Sequence, residues 1–134
     1  MDIIRIVIKG ESGYCSHENS YKDKVTITPS SITYEYVPVV ESEKNSHHKW
    51  SYKTDSQAFA ELYNKAAKIA PRYLNRLDDE FVYDIGATEL VITFEDKHRE
   101  SAEFLVTSDF FEDLFRVIKK MVPGCEDLPL VLCT

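Results

Sequence analysis

The sequence predicts one α+β domain, a mostly antiparallel sheet of about six strands with two amphipathic helices packed on one face. Three observations lead there. Several stretches alternate apolar and polar residues, which places every second side chain on one sheet face. Two stretches repeat apolar residues every three to four positions, the spacing of a helix with one buried stripe. Turn residues separate the alternating stretches in pairs, as hairpins require.

The elements follow in order. Ile4, Ile6 and Ile8 share one face of a first strand at about 2–9, and Arg5, Val7 and Lys9 the other. Gly10 to Asp23 is polar and turn-rich, and reads as a long loop or a mobile hairpin tip. Lys24–Thr28 is β-branched, Pro29-Ser30-Ser31 supplies a turn, and Ile32–Val37 returns as a strand that Pro38 ends. Glu41 to Lys49 is a polar tip, after which Trp50–Lys53 resumes the alternation. Thr54 and Gln57 have the spacing of a capping box. Phe59, Leu62, Tyr63, Ala66, Ile69 and Tyr73 then form a helical stripe, with Pro71 ending or kinking it.

Asp78-Asp79-Glu80 is an acidic connector and Phe81-Val82-Tyr83 a short strand. Glu89–Phe94 and Ser101–Val106 make a second hairpin around Glu95–His98. Thr107-Ser108-Asp109 caps a second helix with the stripe Phe111, Leu114, Phe115, Ile118, Met121 and Val122. Acidic Glu112 and Asp113 at its start and Lys119 and Lys120 at its end suit the helix dipole. The apolar tail from Leu128 is expected to lie against the domain. The Trp50–Pro71 and Phe104–Pro123 segments share a Phe-x-x-Leu stripe and a terminal Pro, so the chain divides into two ββα units plus an N-terminal strand pair. Shared junction chemistry accounts for that likeness as well as duplication does.

Composition narrows the classes. The 134 residues, 43% hydrophobic and 29% charged, fit one ordinary globular domain over 1–134. The net charge is −7 and the 16 Lys and Arg residues are scattered, which argues against nucleic acid as a partner. No apolar run approaches the ~20 residues of a membrane span. The N-terminal stretch is broken by Asp2, Arg5 and Lys9, so it reads as a strand and not as a signal peptide. Cys15, Cys125 and Cys133 are an odd count without a close pair, which fits reduced thiols in a cytoplasmic protein.

Four clusters offer chemistry, and each has a plainer explanation. Cys15-Ser16-His17-Glu18 holds a nucleophile and a base, but reads as a solvent-facing loop. Adjacent His47 and His48 point to opposite sides of an extended chain and so do not readily share one metal ion. Asp78-Asp79-Glu80 with Asp84 lacks calcium-loop spacing. Gly10-Glu11-Ser12-Gly13 follows a strand but lacks the Lys and the helix start of a phosphate loop. No catalytic, cofactor or metal residue is therefore assigned.

Tyr34, Tyr36, Trp50 and Tyr52 lie on neighbouring strands. Cross-strand aromatic packing explains them. On a helix-free face they would instead offer an interaction patch for another protein or a second copy of the chain. The reading is thus a small non-catalytic binding domain, acting through the open sheet face or the loops at 10–23 and 41–49. The alternative is an enzyme whose site assembles only in space, where a thiol or imidazole meets a carboxylate in a cleft.

Overall fold

A computed structural model describes residues 2–12, 20–43, 45–74, 88–104, 111–124 and 128–132. Its strands are β1 (Ile3–Glu11), β2 (Tyr21–Thr28), β3 (Ser31–Pro38), β4 (His48–Lys53), β5 (Thr88–Phe94) and β6 (Arg99–Phe104). They form one antiparallel sheet in the order β4-β3-β2-β1-β5-β6. Helices α1 (Gln57–Ile69), α2 (Pro71–Leu74) and α3 (Glu112–Met121), with a 3-10 turn at Leu130–Leu132, complete the fold. The α+β class and the antiparallel sheet are as the alternation and stripes predict.

One face of the sheet is greasy because the alternation is strict. Ile6 and Ile8 of β1, Val25 and Ile27 of β2, Ile32 and Tyr34 of β3, Trp50 of β4 and Leu90 and Ile92 of β5 are all buried. The helices bring Phe59, Tyr63 and Ala66 from α1, and Leu114, Phe115, Ile118 and Met121 from α3, into the same core. α1 and α3 also pack against each other. Burying each large side chain contributes about 1.5–3 kcal/mol before entropy is counted.

Local chemistry differs from the sequence reading in several places. β1 carries an irregularity between Ile3 and Arg5 in its pairing with β5. The alternation breaks there, so Ile4 is exposed and does not join Ile6 and Ile8. Beside it, Tyr63 Oη donates to Ile3 O at 2.7 Å and fastens α1 to the sheet.

The N-terminal hairpin is longer than the loop expected over Gly10–Asp23, because pairing continues through Glu11↔Lys22 and β2 starts at Tyr21. Asp23, a charged residue in a core position, disguised the alternation.

The cap of α1 is Ser56, whose Oγ accepts from Phe59 N at 3.1 Å. Thr54 Oγ1 instead accepts from Ser56 N at 3.1 Å, so the expected Thr54/Gln57 box does not form.

The 41–49 connection is anchored and not merely a polar tip. Ser42 and Asn45 exchange backbone hydrogen bonds, Asn45 is buried, and its Oδ1 accepts from Tyr36 Oη.

Pro71 opens α2 directly after α1, at the first helical position, where its missing N–H costs nothing. β6 starts two residues earlier than expected, at Arg99. The Phe81–Tyr83 strand and the Thr107–Asp109 cap lie outside the described residues.

Candidate binding surface

The face opposite the helices is built by the other half of the alternation, and it is charged. The register places Lys49, Glu35, Lys24, Lys9, Glu89 and Glu103 side by side, one from each strand, in a row across the whole sheet. The neighbouring row reads Ser51, Thr33, Thr26, Val7, Val91 and Ser101, a flat band of hydroxyl and methyl groups. Lys53 and Arg99 lie one row further on, with Arg5 opposite Thr93.

Some of these charges are paired. Lys9 Nζ lies 3.7 Å from Glu89 and Lys22 Nζ 3.4 Å from Glu11. His47 Nε2 meets Glu35 Oε2 at 3.0 Å. This hydrogen bond, helped by Lys49 and Lys24 nearby, holds the Glu35 carboxyl below the usual range. Among the described residues, Arg5, Lys24, Lys49, Lys53 and Arg99 have no carboxylate within ion-pair distance. An open depression of about 380 Å³ lies beside the charged row and is lined by Lys9, Lys22, Lys24 and Glu103 among others. The sequence hid this surface, because its cations are contributed singly by different strands and never form a run.

The four aromatic candidates are on the other side. Tyr34, Tyr36 and Trp50 are 1%, 9% and 9% exposed, and only Tyr52, at 40%, reaches solvent. They line the helix-bearing face, so the open sheet face carries charge and not an aromatic patch. Tyr36 stacks between Tyr21 and His48 at 4.9 and 4.7 Å, and Tyr52 meets Phe59 of α1 edge-on at 6.3 Å. Their contacts within the fold are those of core and core-margin residues.

The other clusters give little chemistry. Cys15, His17, Cys125, Cys133 and the Asp78–Asp84 group lie outside the described residues, as do residues 13–19 of the 10–23 connection. His47 and His48 do diverge: His47 reaches Glu35, whereas His48 Nδ1 contacts Ser46 O at 3.1 Å. At the β5–β6 tip His98 contacts Asp96 and lies 3.8 Å from Glu100, all three exposed. Among the described residues, no group of three or more His, Cys, Asp or Glu could hold a metal ion. No helix among them is long and apolar enough to cross a membrane. The chain matches no protein-family model and no curated protein in sequence.

Proposed function

We propose that this is a non-catalytic binding domain that docks an acidic segment of a partner protein on the helix-free face of its sheet. The carrying observation is the set of cations there without a carboxylate partner, in a chain whose net charge is −7. On that face Arg5, Lys9, Lys24, Lys49, Lys53 and Arg99 outnumber Glu35, Glu89 and Glu103, and such an excess steers an oppositely charged partner. Each exposed pair adds only about 0.2–1 kcal/mol, so the Val7, Val91, Thr26 and Thr33 band must supply apolar contact as well. The glutamates interleaved in the charged row oppose a continuous phosphate backbone, which favours a peptide over nucleic acid.

The test is a titration of ¹⁵N-labelled protein with a synthetic peptide alternating Glu and Val. Shifts are expected on β2, β3 and β4, weakening as salt rises. They should vanish in the folded triple variant Lys24→Glu, Lys49→Glu, Lys53→Glu. Shifts elsewhere, or shifts that survive the triple variant, overturn the reading. Equal binding of a short nucleic-acid duplex would replace the peptide with a phosphate partner.

A further inference from the structure

We propose that a second copy of this chain pairs along the outer edge of β6, joining two sheets about a twofold axis centred on Ser101. This edge borders the docking face and shares Arg99, Ser101 and Glu103 with it, whereas the peptide shifts expected above fall on β2, β3 and β4.

Sheet hydrogen bonding decides which groups that edge offers. Phe94 N donates to His98 O at 3.0 Å, so this pair closes the β5–β6 hairpin. Hydrogen-bonded pairs recur at every second position of an antiparallel ladder. With the register Ile92↔Glu100 and Leu90↔Ala102, the backbone groups of Glu100 and Ala102 point inward to β5. Those of Arg99, Ser101 and Glu103 point outward, and all three residues are exposed. In the register centred on Ser101, Ser101 meets Ser101 of the other copy, and Arg99 meets its Glu103 on either side. Each of these pairs can exchange both N–H···O bonds.

The charges agree with that register. Glu103 has only Glu89 opposite it within the sheet, and like charges directly across are unfavourable. Among the described residues neither Glu103 nor Arg99 has an ion-pair partner. A second copy supplies both at once. On the other face the two Glu100 carboxylates would be diagonal neighbours, each with its own His98 at 3.8 Å.

The opposite edge argues the other way. Thr54 N donates to Ser30 O at 2.9 Å, which makes Lys49, Ser51 and Lys53 the outward residues of β4. The matching twofold register there sets lysine against lysine, a standard guard on an edge strand. A one-strand interface is small, under about 1,200 Å², so the dimer should form only at high protein concentration.

Sedimentation of the full chain from micromolar to millimolar concentration tests this. A concentration-dependent dimer is expected. Arg99→Glu alone and Glu103→Arg alone should each weaken it about tenfold, because two attractive pairs become repulsive. The double swap Arg99→Glu, Glu103→Arg should restore it. A monomer throughout overturns the proposal, as does a dimer that the single reversals leave unchanged or that the double swap fails to restore. Loss of the dimer with the peptide titration intact would separate this surface from the docking face, and so would the reverse.

Discussion

Tyr34 Oη donates to Asp23 Oδ2 across 2.9 Å, from one strand to the next inside the core. The same carboxylate oxygen accepts from Val131 N at 2.9 Å, and Tyr34 Oη accepts from Leu130 N at 3.4 Å. Two polar side chains on β2 and β3 thereby hold the 3-10 turn at Leu130–Leu132 against the sheet. Asp23 Oδ1, in contrast, is buried without a hydrogen-bond partner among the described residues. Burial raises the Asp23 carboxyl above its ordinary value of 3.8, and it outweighs the hydrogen bonds from Tyr34 and Val131, which act the other way.

The sign of the pH effect follows. Below pH 3.8 Asp23 is protonated whether the chain is folded or not. As pH rises, the unfolded chain releases that proton first while the folded chain keeps it. The stability it confers is therefore lost as pH climbs through the raised folded value. Asp23→Asn keeps an oxygen for Tyr34 and Val131 and removes the charge. Denaturant unfolding across a pH series should show the wild type losing stability relative to this variant above about pH 4. A level or rising difference curve would contradict the assignment.

Gly10 is fixed by close approach. A Cβ built there would lie 2.5 Å from Asp23 Oδ1 and 2.7 Å from Val131 Cγ2. Gly10→Ala must therefore push the 3-10 turn outward. The expected cost is about 1–3 kcal/mol, the usual range for overpacking a filled site. Hydrogen exchange supplies a sharper readout: the Val131 amide should lose protection while Ile6 and Ile27 keep theirs.

Lys97 sits at φ 72°, in the left-handed region, at the tip of the β5–β6 hairpin. Its N–H donates to Phe94 O at 2.8 Å, closing the turn. A side chain costs about 1–2 kcal/mol there, which glycine avoids, although glycine gives back part of it in unfolded-state entropy. Lys97→Gly should raise the unfolding free energy by about 0.5–1 kcal/mol in thermal denaturation. No gain would mean that the turn does not need the left-handed residue.

Much of this fold was legible because hydrophobic periodicity reports burial directly. Of the predicted stripe Phe111, Leu114, Phe115, Ile118, Met121 and Val122, all are buried but Val122, which is half-buried at the helix end. What stayed hidden depends on pairing at a distance. The charged row from Lys49 to Glu103 takes one residue from each strand, and only the register assembles it. The side taken by Tyr34, Tyr36 and Trp50 is a second such case. Alternation shows that they share a face, but which face the helices cover is a matter of tertiary packing. Asp23 misled in its own way, because a carboxylate in mid-strand reads as exposed until the Tyr34 hydroxyl and Val131 amide that hold it are known.

The start of α1 is set by Ser56 and not by the Thr54/Gln57 pair that the spacing predicts. Ser56 Oγ takes the Phe59 amide, which leaves Gln57 inside the first turn, its amide 3.5 Å from Glu61 on an exposed surface. Ser56→Ala should cost about 1 kcal/mol, the usual price of a lost N-cap. Gln57→Ala should change stability by no more than about 0.5 kcal/mol, since exposed polar contacts contribute little. Thr54→Ala should lie between them, because Thr54 Oγ1 holds only the Ser56 amide that orients the cap. Chemical denaturation of the three variants decides the matter: a large loss at Gln57 with none at Ser56 would restore the Thr54/Gln57 box, and the reverse order fixes Ser56 as the residue that starts the helix.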